Sequence, residues 1–133
     1  MSSFERLSAY QPYALAALRI IAALLFIEHG TMKLFAFPAA QMEGSLPPLM
    51  LFAALLEVVG GILILIGFLT RPVAFILSGQ MAFAYFIAHA PKSFFPALNG
   101  GDAAILFCFV FLYLSAAGAG PWSLDALGRG TRR

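Results

Sequence analysis

Charged residues are scarce in this sequence. Of its 133 residues, 11% are Asp, Glu, Lys or Arg and 62% are hydrophobic, whereas a typical soluble domain carries ~25% charged residues. This is too few charged residues for the surface of a soluble domain of this size. The chain is therefore expected to be an all-α, polytopic membrane protein in contact with the lipid bilayer. No basic tract suits nucleic acid, and a nucleic-acid-binding function is excluded.

Cysteine and the common nucleotide motifs are also missing. The single cysteine, Cys108, lies in an apolar run, so the chain can form neither an internal disulfide nor a Cys-x-x-Cys redox pair. The glycines form no G-x-G-x-x-G and no P-loop, and no H-E-x-x-H is present. The chemistry of soluble nucleotide-dependent enzymes and of zinc proteases is therefore not indicated.

Long apolar runs are abundant, and prolines and glycines separate them. The sequence predicts a four-transmembrane-helix bundle that forms a single membrane domain over 1–133, with helices at 13–35, 49–69, 73–90 and 103–117. The first run is longer than the ~7 to 15 residues of a signal-peptide core, and no small-x-small cleavage site follows it promptly. The first helix is therefore expected to remain in the protein.

The basic residues are unevenly distributed between the two sets of predicted helix ends. Lys33 and Lys92 flank one set, and five arginines flank the other: Arg6, Arg71, Arg129, Arg132 and Arg133. Because Lys and Arg are enriched in cytoplasmic loops, both termini are expected to be cytoplasmic.

The predicted helices carry polar groups that need partners, because a charge near the bilayer centre costs at least ~2.5 to 3.5 kcal/mol. Counting ~1.5 Å per residue from the cytoplasmic helix ends places six polar residues in one outer layer, ~20 to 27 Å away. These residues are Glu28, His29, Glu57, Tyr85, His89 and Asp102. We expect Glu28, His29 and Glu57 to form the catalytic centre of a ligand site. Further cofactor-binding contributions are expected from His89, Asp102, Arg19, Lys33 and Tyr85.

Less specific roles for some of these residues stay open. The long side chain of Arg19 can extend toward Glu57 and form a buried ion pair whose role is only to align the two helices. His89 can be an interfacial histidine, and Lys33 can extend to the headgroups. Two histidines and several carboxylates could ligate a metal or flank a haem, but their spacing specifies neither geometry.

The sequence also contains a faint internal repeat. The segments HGTMKLFAFPA at 29–39 and HAPKSFFPA at 89–97 both run from His through Lys to Phe-Pro-Ala. A duplicated helical hairpin would explain the repeat, and so would coincidence in a chain rich in Phe and Ala.

Arg19 and five segments occur in order along nearly the whole chain: FIEHGTMKLF at 26–35, EVVGG at 57–61, GFLTR at 67–71, NGGD at 99–102 and GAGPWSLD at 118–125. Together they resemble the DoxX family of small bacterial and archaeal membrane proteins. Two positions depart from the family pattern. Asp102 stands where Glu is expected, and Pro121 stands where a basic residue is common.

The resemblance implies a four-helix bundle in the cytoplasmic (inner) membrane of a bacterium or archaeon. Members are often labelled oxidoreductases, and relatives resemble a subunit of an archaeal thiosulfate:quinone oxidoreductase or are linked to complexes that handle thiol and oxidative stress. It therefore implies a quinone- or thiol-linked redox subunit that works with a redox partner protein or as a homo-oligomer. Quinone is a possible cofactor, and the outer polar layer would bind its headgroup or relay protons to it. Two other functions stay open: a non-enzymatic scaffold or assembly factor, and a small proton-coupled transporter.

Overall fold

The computed structural model describes residues 2–130, and the chain is helical throughout this range apart from its connections. A 3-10 turn, Glu5–Tyr10, leads into the first helix. The α-helices in chain order are α1 Gln11–Phe35, α2 Pro48–Ile66, α3 Thr70–Ala84, α4 Pro96–Asn99, α5 Asp102–Ala117 and α6 Leu124–Gly130. Of the basic residues that predict the orientation, Arg132 and Arg133 lie outside the described residues.

Three helical segments of residues 2–130 are long and apolar enough to cross a membrane: Glu5–Phe35, Pro48–Ile66 and Thr70–Lys92. The third includes α3, a π-helical turn at Tyr85–His89 and a 3-10 turn at Ala90–Lys92. Helix α5 is apolar but has 16 residues, which span ~24 Å of a ~30 Å hydrocarbon core. A helical membrane protein is confirmed, whereas the count of four full-length spans is not, and a crossing by α5 stays a prediction.

The boundary between α2 and α3 differs from the prediction because of local backbone capping. Gly67 adopts a φ of 68°, which ends α2 at Ile66 rather than at 69. The N–H of Gly67 bonds to the carbonyl of Ile64 at 3.1 Å, and that of Phe68 bonds to Leu63 at 2.9 Å. This left-handed cap favours glycine, which has no Cβ to oppose a positive φ. Helix α3 then begins at Thr70, earlier than the predicted 73.

The helices pack mainly as two pairs. Helix α1 packs on α2 and α3 packs on α5, while a smaller α2–α3 contact joins the pairs. Glycines permit the close approaches: a Cβ added at Gly30 would lie 2.6 Å from Val58 Cγ2, and one at Gly61 would lie 2.6 Å from Ile27 Cγ1. Two similar pairs fit a duplicated hairpin, but the duplication itself stays a prediction.

Aromatic rings close the bundle between α1 and α5. Phe26 and Phe111 are fully buried, and their rings pack edge to face with centroids 4.9 Å apart. Phe107 packs against both, at 5.5 Å from Phe26 and 5.9 Å from Phe111. Phe75 and Phe109 are among the many large apolar side chains that are exposed on the outside. Such a surface suits contact with acyl chains rather than with water.

Polar groups collect at the two opposite ends of the bundle. We name the region formed by residues 10–19, 66–72 and 115–125 the Arg19 end. The region formed by residues 28–57 and 85–102 is named the Lys33 end.

Candidate functional site

An ion pair joins α1 to α2 at the Lys33 end. Lys33 Nζ lies 2.5 Å from Glu57 Oε1, and the two side chains are 9% and 3% exposed. Close packing brings the helices together here, since a Cβ added at Gly30 would lie 3.1 Å from both Ala54 O and Glu57 Cβ. The alternative in which Lys33 extends to the headgroups is therefore not what the structure shows. Its charge is compensated inside the bundle.

The ion pair leaves one buried carboxylate oxygen without a partner. No group in residues 2–130 hydrogen-bonds Glu57 Oε2. His29 lies close enough to Glu57 for an electrostatic interaction, and its ring packs edge-on against Phe107 of α5 with centroids 6.0 Å apart. Buried polar atoms are nearly always hydrogen-bonded, so an unsatisfied oxygen marks a place where water, an ion or a ligand can bind.

A cavity of about 700 Å³ lies beside this pair. It is formed by the end of α1, the connection that follows and the start of α2, and its lining includes Lys33, Met42, Glu43 and Leu51. Its volume falls within the ~300 to 1,000 Å³ of small-molecule sites. Because Lys33 belongs both to the lining and to the ion pair, a molecule in the cavity is next to the buried charges.

Two predicted site residues lie outside this group. Glu28 and Asp102 both have exposed side chains, so the expected grouping of Glu28 with His29 and Glu57 is not what the structure shows. The residues that come together are His29, Lys33 and Glu57. Within the described residues, no group of three or more His, Cys, Asp or Glu side chains is placed to hold a metal ion.

Tyr85 and His89 belong to a second polar cluster, which is organised by Asn99. The buried side-chain amide of Asn99 donates to Tyr85 Oη at 3.2 Å and to Ser93 O at 3.0 Å. Its Oδ1 accepts from the Gly101 N–H at 2.8 Å, and its backbone carbonyl lies 3.0 Å from His89 Nδ1. The sequence analysis does not name Asn99 as a site residue, so this organising role was missed.

Arg19 does not reach Glu57. Its guanidinium is fully buried at the other end of the bundle and donates to the backbone carbonyls of Ala119, of Pro121 at 3.2 Å and of Trp122 at 2.8 Å. The expected Arg19–Glu57 ion pair is wrong, because Glu57 pairs with Lys33. Backbone carbonyls carry no sequence signature, so no residue pattern could have identified these partners.

Two helix ends are also capped by charged side chains at the Arg19 end. The Asp125 carboxylate accepts from the N–H groups of Leu69 and Thr70, both at 3.0 Å, and so caps the start of α3. Arg71 donates to the carbonyls of residues 115–117 at the end of α5. These are the groups that a helix leaves unbonded, and the charges match the sign of each helix dipole. The charges of Arg19, Arg71 and Asp125 thus bond to backbone groups of the chain itself.

Comparison with known proteins agrees with the sequence pattern. A model of the DoxX family matches residues 14–90, which is more than half of the chain. This chain belongs to the DoxX family. An uncharacterized protein of Haemophilus influenzae is 46% identical over 127 residues, covering 91% of this chain and 95% of that protein. No solved structure matches the chain.

The segments that carry the resemblance to DoxX proteins assemble at both ends. GFLTR at 67–71 and GAGPWSLD at 118–125 meet at the Arg19 end, where a Cβ added at Gly67 would lie 2.3 Å from Ser123 Cβ. FIEHGTMKLF at 26–35 and EVVGG at 57–61 meet at the Lys33 end through Gly30 and the ion pair. Pro121 contributes its backbone carbonyl to Arg19. In this DoxX protein the unsatisfied carboxylate and the cavity are both at the Lys33 end.

Proposed function

We propose that this DoxX protein is a redox-associated membrane subunit that binds a quinone headgroup beside Lys33, Glu57 and His29. The observation that carries the proposal is the buried Glu57 Oε2, which has no hydrogen-bond partner in residues 2–130 and belongs to an ion pair beside a cavity of about 700 Å³. A quinone site needs polar groups for the headgroup oxygens and apolar surface for the tail. The cavity lining supplies both.

The chemistry assigned to this chain is proton handling. Reduction of a quinone to a quinol takes two electrons and two protons. A redox partner protein supplies the electrons. A protonated His29 supplies one proton and the Lys33–Glu57 pair, which holds its proton on Lys33, supplies the other, and both are reprotonated from water at this end of the bundle. Lys33 has three N–H donors and uses one on Glu57, so the others can hold a quinone oxygen.

The distribution of the basic residues supports the proposed orientation in the membrane. The chain lies in the cytoplasmic (inner) membrane with both termini cytoplasmic, which places Lys33 and the cavity toward the outer face. Water can reach this site without crossing the whole hydrocarbon core. Assembly with a redox partner or with a second copy uses the exposed apolar surface.

A scaffold function is the second candidate, and the Arg19 end favours it. There the charged groups Arg19, Arg71 and Asp125 bond to the chain's own backbone, as expected if the charges serve architecture. A proton-coupled transporter would instead use His29 and Glu57 as a proton path.

Binding of a decyl-tailed benzoquinone to the purified protein in lipid nanodiscs tests the proposed function. Glu57→Gln and His29→Gln are expected to weaken the Kd about tenfold or more, which is about 1.4 kcal/mol. Glu28→Gln is the matched control, because it removes a carboxylate from the exposed side of the same stretch. Melting temperatures verify that each variant is folded.

Two outcomes contradict the quinone site. Either the wild-type protein does not bind the probe, or folded Glu57→Gln and His29→Gln variants bind as tightly as Glu28→Gln. Either outcome would favour the scaffold function over quinone binding. Proton-coupled uptake in liposomes would instead support the transporter.

A further inference from the structure

The end of α3 has an unusual local geometry. Residues Tyr85–His89 wind as a π-helix before the chain turns at Ala90–Lys92. Single π-helical turns are rare and are frequent at functional sites, because they redirect side chains that a regular α-helix would carry elsewhere. Here the turn begins with Tyr85 and ends with His89. Both residues contact Asn99.

The contact with Asn99 fixes the tautomer of His89. The backbone carbonyl of Asn99 can only accept a hydrogen bond, so His89 Nδ1, 3.0 Å away, carries the proton. In the neutral ring Nε2 then keeps its lone pair, and no described residue hydrogen-bonds it. A histidine held in this way presents a defined acceptor, as in proton-transfer sites.

Tyr85 presents a defined donor in the same cluster. Its hydroxyl accepts from Asn99 Nδ2 at 3.2 Å, so its own proton remains available. The ring is fixed, since a Cβ added at Gly101 would lie 2.6 Å from it. The rings of Tyr85 and His89 are nearly parallel, with a 27° angle and centroids 6.4 Å apart. Asn99 is 3% exposed, so the group that organises both rings is itself rigidly buried.

We propose that Tyr85 and His89 form a second binding site, which recognises the hydroxyl of a membrane-soluble phenol or quinol. A hydroxyl both accepts and donates, so it can accept from Tyr85 Oη–H and donate to His89 Nε2. An aromatic headgroup suits the surroundings: Phe86 packs edge-on against Tyr85 at 5.3 Å, and Phe86 and Phe94 are 69% and 86% exposed. This site rests on its own contacts and does not require the quinone site beside Lys33.

The histidines allow each site to be observed separately, because the chain has only two, His29 and His89. The protein is labelled with ¹⁵N-histidine, placed in nanodiscs and assigned with His29→Gln. Its two imidazole spectra are then recorded with a decyl-tailed 1,4-benzoquinol under reducing conditions. In the free protein we expect the Nδ1–H tautomer at His89. The quinol is expected to shift the Nε2 signal of His89, whereas its dimethyl ether, which has no O–H to donate, is expected not to.

Variants identify the second half of the site. Tyr85→Phe removes only the donor, and the Asn99 amide retains Ser93 O as a partner, so the fold is expected to be kept. The quinol concentration that half-saturates the His89 signal should then rise about tenfold, which is the effect of losing one hydrogen bond. Tyr113→Phe, at an exposed tyrosine of α5, is the matched control and should titrate as the wild type does.

The outcomes separate the two sites. An Nε2–H tautomer at His89, an equal response to the ether, or an unchanged titration in Tyr85→Phe overturns the second site. A shift confined to His29 also overturns it but leaves the proposed quinone site intact. A shift confined to His89 supports the second site. Shifts at neither histidine overturn the second site, whereas the quinone site beside Lys33 is judged by its own titration with the benzoquinone.

Discussion

Lys33 Nζ and Glu57 Oε1 lie 2.5 Å apart, and neither side chain is more than 9% exposed. Each charge of the pair therefore compensates the other for the hydration that both lose inside the bundle. Removing one partner leaves the other buried and uncompensated, whereas removing both leaves an apolar contact.

A double-mutant cycle on this pair measures the coupling. Lys33→Leu and Glu57→Leu are each expected to lower the free energy of unfolding by about 3 to 5 kcal/mol, and the double variant by clearly less than the sum. Unfolding in mixed micelles provides the measurement. Additive losses would show that the two charges do not stabilise each other.

Arg19 and Glu57 should behave as independent residues. Arg19→Met removes the donors to the carbonyls of Ala119, Pro121 and Trp122, each an interaction of a charged donor worth ~1.5 to 3 kcal/mol. We expect a large loss of stability that adds to that of Glu57→Leu within ~0.5 kcal/mol. Arg19→Lys retains the charge but not the planar set of donors and is expected to recover only part of the loss. A strong coupling between Arg19 and Glu57 would contradict this arrangement.

Gly30 should tolerate no side chain, although it is in a helix where alanine is normally favoured. A Cβ at Gly30 would lie 2.6 Å from Val58 Cγ2 and 3.1 Å from Ala54 O, so Gly30→Ala must push α1 away from α2. Gly79→Ala is the matched control, because nothing lies within 4 Å of a Cβ added there. We expect a lower melting temperature for Gly30→Ala and an unchanged or higher one for Gly79→Ala. Equal effects would be incompatible with close α1–α2 packing.

Asp125 should act as a helix cap supplied from a distant part of the chain. Asp125→Ala leaves the N–H groups of Leu69 and Thr70 without their carboxylate, at a cost of ~1 to 2 kcal/mol, and Asp125→Asn should cost less because Asn also caps helices. Hydrogen exchange at the first turn of α3 provides the measurement. Exchange rates that do not change in Asp125→Ala would contradict the cap.

The orientation is tested by reporters. A fusion after Arg133 is expected to be cytoplasmic, and an insertion within 39–46 is expected to be exterior, because the arginines cluster at the opposite end. Periplasmic activity of the terminal fusion would place the candidate quinone site on the cytoplasmic side instead.

The sequence predicted where the helices lie better than it predicted the residues at which they begin and end. Apolar runs locate α1, α2 and α3 because burial in lipid requires continuous hydrophobic length. The α2–α3 boundary was missed because it depends on the left-handed Gly67 and on the distant cap from Asp125. Both are tertiary features that a local pattern does not contain.

The candidate site was predicted in part. Polar residues inside apolar runs pointed to Glu57 and His29, and the structure brings these two together with Lys33. Glu28 was grouped with them because it lies at the same predicted depth in the membrane, and depth does not fix the direction in which a side chain points around the helix. Adjacent residues on a helix point about 100° apart, and the structure leaves Glu28 exposed.

The contacts at the Arg19 end can form only late in the synthesis of the chain. Arg19 bonds to carbonyls that are synthesised 100 or more residues later, and α3 receives its cap from a residue 55 positions downstream. Helices α1 to α3 are therefore synthesised before these partners exist. A product truncated before Ala119 would retain its spans but carry a buried, unpartnered guanidinium. Such a product is expected to be recognised and degraded by membrane quality control.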